Sequence, residues 1–100
     1  MKRIMLICSA GMSTSLLVSK MQKSALNQGL DVEIWAVGAS GAKKDILKAD
    51  VILLGPQVRF MKNEFIDLAN GKPVDIIDIR AYGRIDGNAV LEQAVKMLNL

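Results

Sequence analysis

Two short apolar runs, residues 4–7 and the interior of residues 50–55, limit the folds open to this chain. Each run is long enough for a buried strand and too short for a helix, and a turn of small residues follows it. Strands that are apolar on both faces lie in the centre of a parallel sheet that helices cover on both sides. The sequence therefore predicts an α/β protein with these two strands side by side.

Two further segments, residues 31–37 and 74–78, mix polar with apolar residues, which is typical of strands near the edge of a sheet. Helical patterns separate the four strands, so we expect a parallel sheet with right-handed crossovers and helices on both faces. The flavodoxin-like order 2-1-3-4 puts the two apolar strands in the middle. In that order the binding crevice opens between the carboxyl ends of strands 1 and 3, and Cys8 and Gly55 end these two strands.

Four helices are expected, and apolar residues at helical spacing predict the core-facing side of three of them. These residues are Leu17, Val18, Met21 and Ala25 in the first helix, Val58, Met61, Phe65 and Leu68 in the third, and Val90, Leu91, Ala94 and Leu98 in the last. Ser13, Ser40 and Asp86 are the predicted N-caps of the first, second and last helices, and the second should end near residue 48. Gly29 should stop the first helix. Residues 81–85 are expected to form a loop.

The composition restricts the class of protein. One hundred residues suit a single domain, which we expect to span residues 1–100. One cysteine excludes an internal disulfide and suits a reducing compartment, and no apolar run exceeds five residues, so we expect a cytoplasmic protein without a membrane span. Thirteen scattered basic residues with only four aromatic ones are a weak pattern for nucleic-acid binding. With one cysteine and no histidine we expect no metal site, and we expect no cofactor. Edge strands without a long apolar face favour a monomer.

The only cysteine, Cys8, lies where the first strand leads into a helix N-terminus. The loop after it is rich in small and hydroxyl residues, and no acidic residue precedes Asp31. Unpaired backbone N–H groups and the positive end of the helix dipole attract anions, and they favour the thiolate that acts as a nucleophile. This arrangement suits carrying a phosphoryl group. A small buried hydrophobe is the other interpretation of Cys8, and the residues alone leave both open.

Known phosphate motifs narrow the chemistry. The tyrosine-phosphatase signature is Cys, five residues, Arg and then Ser or Thr, but the sixth residue after Cys8 is Thr14, followed by Ser15. Without the arginine that clamps phosphoryl oxygens, the loop should hold a phosphoryl group and hydrolyse it slowly. That property favours a carrier over the alternative, a cysteine phosphatase of low activity. The loop lacks the Gly-Lys-Ser/Thr ending of an ATP site, and a thiol redox sensor would lack a second, resolving cysteine.

Three segments carry a resemblance to a known family. They are Cys-Ser-Ala-Gly-Met-Ser-Thr-Ser-Leu-Leu-Val at residues 8–18, Leu-Leu-Gly-Pro-Gln at 53–57 and Tyr-Gly-Arg-Ile-Asp-Gly at 82–87. With them the whole chain resembles the IIB component of the lactose/cellobiose family of bacterial phosphotransferase systems (PTS), nearer the cellobiose and N,N'-diacetylchitobiose branch. The resemblance implies a fold similar to that of low-molecular-weight tyrosine phosphatases.

The resemblance also implies a function. Cys8 would accept a phosphoryl group from a phosphohistidine on a IIA protein and pass it to a sugar, a β-disaccharide of the cellobiose or chitobiose type, held by the membrane IIC permease. The protein would then be cytoplasmic and associated with that permease. The implied phosphate-binding loop consists of Ser9, Ala10, Gly11, Met12, Ser13, Thr14 and Ser15.

Two residues outside the loop are implied to lie near the crevice, Gln57 and Tyr82. A polar turn residue and a half-buried aromatic residue are equally open interpretations of them. Arg59 follows the turn after strand 3, where it could screen phosphate charge, but a solvated position is the favoured interpretation.

Overall fold

The computed structural model describes residues 1–9 and 12–99. Within these residues four strands form one sheet, and they are β1 (Lys2–Cys8), β2 (Val32–Gly38), β3 (Val51–Leu54) and β4 (Val74–Ile76). The strand order is β2-β1-β3-β4 and each pairing is parallel, which confirms the predicted topology. The two apolar strands, β1 and β3, are central, and the two mixed strands are the edges. β2 begins and ends one residue later than predicted, and β4 ends two residues earlier.

Five α-helices lie between and after these strands in the described part of the chain. They are α1 (Met12–Gln28), α2 (Ala42–Asp45), α3 (Lys62–Ala69), α4 (Ile79–Gly83) and α5 (Gly87–Met97). Short 3-10 turns at Ala39–Gly41, Ile46–Lys48 and Pro56–Met61 lie on either side of α2 and before α3. No helix among the described residues is long and apolar enough to cross a bilayer.

The core has two halves, one on each face of the sheet, because side chains of a strand alternate between its faces. Ile4 and Leu6 of β1 pack into the half that α1, α4 and α5 cover. Met5 and Ile7 pack into the half that α2 and α3 cover. All four side chains are fully buried, so β1 has no solvent-facing side beyond its first residues. This is why its sequence is apolar without alternation.

Two predicted helix ends are confirmed. Gly29 has a φ of +69°, a conformation that costs glycine little, and the amide of Leu30 bonds the carbonyl of Ala25 at 2.9 Å in the pattern of a Schellman motif. At the start of α5 the Asp86 side chain accepts a hydrogen bond from the amide of Ala89 at 3.1 Å.

Two predicted caps are wrong. α1 begins at Met12, so Ser13 lies in its first turn and not before it. Ser40 lies inside the 3-10 turn Ala39–Gly41, and no side-chain cap bond is formed at this turn or at α2. The predicted second helix is split into a 3-10 turn, one α-helical turn and a second 3-10 turn, because so short a segment is shaped by packing more than by helix propensity.

The predicted core face of the third helix is wrong at one position. Val58 and Phe65 are buried, but Leu68 is 36% exposed and Ala69 takes its place in the core. The residues before Lys62 form a 3-10 helix with about three residues per turn, and Val58 interrupts it with a φ of −114°. A period of 3.6 residues counted from Val58 therefore loses its phase within α3.

The segment predicted as a loop at residues 81–85 is also wrong, because its first part is helical. Asp78 caps α4 by accepting hydrogen bonds from the amides of Arg80 and Ala81 at 2.9 and 3.1 Å. After α4 the chain turns at Ile85, whose φ is +52°, a conformation that branched side chains rarely adopt. A five-residue helix that depends on one cap has too few residues to show a periodicity.

A glutamine side chain meets each edge of the sheet. On β2 the carbonyl of Ile34 accepts a bond from Nε2 of Gln22 at 3.0 Å. On the β4 side Gln93 binds twice: its Nε2 donates to the carbonyl of Ile76 at 2.8 Å, and its Oε1 accepts from the amide of Asp78 at 3.0 Å. These amides bond backbone groups that an edge strand otherwise presents to another chain.

The contact between α1 and α5 generates a first prediction. A Cβ at Gly87 would lie 2.6 Å from Cβ of Lys20 and 2.8 Å from the backbone nitrogen of Met21, so the two helices would have to separate. We expect Gly87→Ala to lower the free energy of unfolding by about 1–3 kcal/mol, measured by urea denaturation. The matched control is Gly41→Ala, because no atom lies within 4 Å of a Cβ there. Equal stability of the two variants would contradict this account of the helix contact.

Candidate functional site

Cys8 is the last residue of β1, at the carboxyl edge of the sheet. In the sheet register it is level with Gly38 on β2, and on its other side Gly55 follows β3. A Cβ placed on Gly55 would lie only 3.6 Å from Cβ of Cys8. Cys8 therefore lies in the crevice between the ends of β1 and β3, where the topology predicted a binding site.

The Cys8 side chain is 2% exposed, and its Sγ lies 3.9 Å from the carbonyl oxygen of Val37, a weak sulfur hydrogen bond. Along β1 the even-numbered residues face α1, and Cys8 continues that series. The side chain thus belongs to the face on which α1 begins. Among the described residues the thiol is free of any disulfide, and no group of three or more His, Cys, Asp or Glu side chains is placed to hold a metal ion.

The N-terminus of α1 provides the charge environment. Its first turn contains no acidic residue, so no carboxylate opposes the positive end of the dipole of this 17-residue helix. Ser9 and Ser15 are exposed, whereas Thr14 is buried and its Oγ1 has no hydrogen-bond partner among the described residues. Ala10 and Gly11 of the predicted phosphate loop lie outside the described residues, as do the side chains of Met12 and Ser13.

Gln57 and Tyr82 meet beside the cysteine. Nε2 of Gln57 donates a hydrogen bond to the phenolic oxygen of Tyr82 at 3.1 Å, which joins the turn after β3 to α4. The other end of the same amide, Oε1, lies 2.9 Å from where a Cβ of Gly55 would be. The Gln57 side chain therefore folds back over Gly55, the residue that contacts Cys8. The structure brings both residues to the crevice, and their chemical role stays a prediction.

Other residues of the site were not all found from the sequence. Arg59 is exposed, in the solvated position that the sequence favoured. Gly38, the last residue of β2, was overlooked as a site residue, although a glycine at the end of a strand beside β1 is a usable signal. Gly55 was expected at the crevice, and its backbone does lie next to the cysteine there. Phe60, in the segment that follows Gln57, is 79% exposed.

A comparison with protein families shows to which family the chain belongs. The model described as "PTS system, Lactose/Cellobiose specific IIB subunit" matches residues 3–93. The chain belongs to this family. IIB components are phosphotransferases that transfer a phosphoryl group to sugar, and they work with IIA and IIC partners in the phosphotransferase system.

Relatives of this IIB protein match it from end to end. The oligo-beta-mannoside-specific EIIB component of Bacillus subtilis (strain 168) is 49% identical over 100 residues, covering 98% of this chain and 97% of that protein. The cellobiose-specific EIIB component of Lactococcus lactis subsp. lactis (strain IL1403) is 47% identical over 105 residues, with the same coverage. The galactose-specific EIIB component of Lactococcus lactis subsp. cremoris (strain MG1363) is also 47% identical over 105 residues.

Solved structures share the fold of this IIB protein. The lactose-specific IIB domain from Streptococcus pneumoniae superposes with a TM-score of 0.85 over 96% of each chain, at 16% sequence identity. The cellobiose-specific IIB component from Borrelia burgdorferi has a TM-score of 0.80 at 35% identity, covering 98% of this chain and 92% of that chain. The predicted flavodoxin-like architecture is thus that of other PTS IIB domains.

The contact between Gly55 and Gln57 generates a second prediction. In Gly55→Ala the new methyl group would displace the Gln57 amide, which is the movable end of a flexible side chain, and the bond to Tyr82 would be lost. We expect a stability change below about 1 kcal/mol, since the lost bond is exposed, together with a clear shift of the Gln57 side-chain amide signal in a ¹H–¹⁵N NMR spectrum.

Gly38→Ala is the matched control on the other side of Cys8. A Cβ there has its nearest neighbour, the Cys8 carbonyl oxygen, at 3.9 Å, which is an ordinary contact. The Gln57 amide signal should stay unchanged in this control. An unchanged signal in Gly55→Ala as well would mean that Gln57 does not fold over Gly55 in solution.

Proposed function

We propose that this IIB protein carries its phosphoryl group on Cys8. The observation that carries the proposal is the position of this thiol, at the end of a central strand and on the face where a 17-residue helix begins without an acidic residue in its first turn. Fixed main-chain dipoles in such a place stabilise a dianion without bringing in a positively charged side chain. The backbone N–H groups from Ser9 to Ser15 are the proposed ligands of the phosphoryl oxygens.

The proposed donor, as the family resemblance implies, is a phosphohistidine on a IIA protein, and the IIB chain has no histidine of its own. The Cys8 thiolate attacks phosphorus, the S–P bond forms, the N–P bond breaks, and its electron pair returns to the imidazole nitrogen of the partner. In the second step a sugar hydroxyl held by the IIC permease attacks phosphorus. The O–P bond forms, the S–P bond breaks to regenerate the thiolate, and the hydroxyl proton is released.

Gln57 and Tyr82 are proposed to line the entrance through which both partners reach the sulfur. Their mutual hydrogen bond at 3.1 Å and the contact of Gln57 with Gly55 put polar groups next to Cys8 without adding a charge. A neutral entrance admits a dianion on a donor protein and does not hold it after transfer. We propose that the protein acts as a monomer in the cytoplasm, associated with the permease.

The proposed sugar is a β-disaccharide of the cellobiose or chitobiose type. A cellobiose-specific relative is 47% identical to this chain, but relatives named for oligo-beta-mannoside and galactose are similarly close. Relatives named for different sugars are thus almost equally similar to this chain. This fits a relay in which the permease, and not the IIB protein, encloses the sugar.

The phosphorylation site can be tested by transfer from phosphoenolpyruvate through the general phosphotransferase proteins and a matching IIA protein. We expect labelling to approach one phosphoryl group per wild-type chain, at Cys8, and to fall at least about a hundredfold in Cys8→Ser, because the thiolate is the nucleophile. Persistent label on another residue of Cys8→Ser would reject the site. Turnover of para-nitrophenyl phosphate without any partner protein would instead favour the phosphatase alternative.

The sugar can be tested with membrane vesicles that contain the matching IIC permease. Phosphorylated IIB protein should lose its label to cellobiose or N,N'-diacetylchitobiose, and lactose should accept less than about a tenth as much, since one missing polar contact in a sugar site costs at least that factor. Vesicles without the permease are the control and should accept none. Equal transfer to lactose would contradict the proposed sugar class.

A further inference from the structure

Thr14 is the one polar residue in the buried class among the described residues, with 1% of its surface exposed. Its Oγ1 has no hydrogen-bond partner within that part of the chain. Folded proteins rarely leave a buried hydroxyl unsatisfied, because removing it from water without a new bond is unfavourable. A buried donor without an acceptor among the described residues points to an acceptor that arrives later.

The position of Thr14 on α1 indicates where that acceptor binds. Thr14 is the third residue of the helix, and it precedes Leu17 and Met21, both buried against the sheet, at intervals of three and seven residues. It therefore lies on the inner face of α1, in the first turn of the helix. Because Cα–Cβ bonds of a helix tilt towards its N-terminus, the side chain leans towards the end of β1, where Cys8 lies.

The spacing between Cys8 and Thr14 in the sequence also places Thr14 beside the proposed phosphoryl group. Thr14 is six residues after Cys8, the place at which the tyrosine-phosphatase signature has the arginine that clamps phosphoryl oxygens. A hydroxyl donates one hydrogen bond where a guanidinium donates two and adds a positive charge. Thr14 is thus suited to fixing the orientation of a phosphoryl group without making its phosphorus more open to attack by water.

We propose that the Thr14 hydroxyl donates a hydrogen bond to an oxygen of the phosphoryl group on Cys8 and so positions it. This rests on the proposed phosphocysteine. Thr14 keeps its proton throughout the transfer, in which the S–P bond forms, the N–P bond breaks and the electron pair returns to the imidazole of the donor. It is a positioning residue whose hydroxyl has no partner among the described residues of the free protein and gains one in the phosphorylated protein.

The test compares Thr14→Val, which replaces the hydroxyl with a methyl group of similar shape, and Thr14→Ser, which keeps it. In the unphosphorylated protein Thr14→Val should melt at the same temperature as wild type or higher, because it removes an unsatisfied buried group. Its kcat for accepting a phosphoryl group from the IIA protein should nevertheless fall about 10- to 100-fold, with the KM for that protein unchanged because Thr14 is buried.

The conservative variant and a spectroscopic signal separate positioning from a structural role. Thr14→Ser should retain kcat within about threefold of wild type, since it keeps the donor. The ³¹P NMR shift of the phosphocysteine should move in Thr14→Val and return in Thr14→Ser. These values together, with a raised or unchanged melting temperature in Thr14→Val, would support the proposal.

Several outcomes would overturn it. Unchanged kcat and ³¹P shift in Thr14→Val, with wild type labelled at Cys8, would remove the role of Thr14 and leave the proposed function intact. A lower melting temperature of free Thr14→Val would show that the hydroxyl already has a partner in the free protein, which contradicts the premise. Absence of label at Cys8 in wild type would overturn the proposed function itself, and the Thr14 proposal with it.

Discussion

The pairing of β1 between β2 and β3 is the constraint on which the rest of this structure depends. β1 pairs with β2 over its seven residues and with β3 over four, and its inner residues are buried on both faces. Because neighbouring strands pair with both edges of β1 and packed side chains cover both of its faces, the position of its last residue is fixed. Cys8 is that end, so the position of the thiol is set by the most buried part of the protein, whereas the groups around it come from the turns that follow β3 and from the helices.

The fold was largely predictable because its main elements carry local signals. The apolar runs identified β1 and β3, and Gly29 and Asp86 marked helix ends through side-chain and backbone chemistry that needs only near neighbours. Short elements were not predictable in this way. The five residues of α4 are helical because of the Asp78 cap, and the phase of α3 is set by the 3-10 turn before it, so Leu68 was assigned to the wrong side.

The candidate site was also predictable only where its residues carry a local signal. Cys8 and the small residues after it could be recognised because their chemistry lies in the residue types themselves. The meeting of Gln57 with Tyr82 joins segments 25 residues apart, and only the family resemblance indicated that both lie at the crevice. The burial of Thr14 has no sequence signal, since threonine is usually exposed. Whether a hydroxyl has a hydrogen-bond partner can be judged only from the folded structure around it.

The glutamines at the two sheet edges affect how such a protein meets its partners. Addition of a strand to an open edge is a common way for one protein to bind another, and the complex it forms is held by many main-chain bonds. Gln93 occupies both an acceptor and a donor position beside β4, and Gln22 occupies a carbonyl of β2, so an incoming strand would have to displace them. Association is thereby directed to side-chain surfaces, where contacts form and dissolve quickly. Rapid exchange between a IIA and a IIC protein requires that kind of brief encounter.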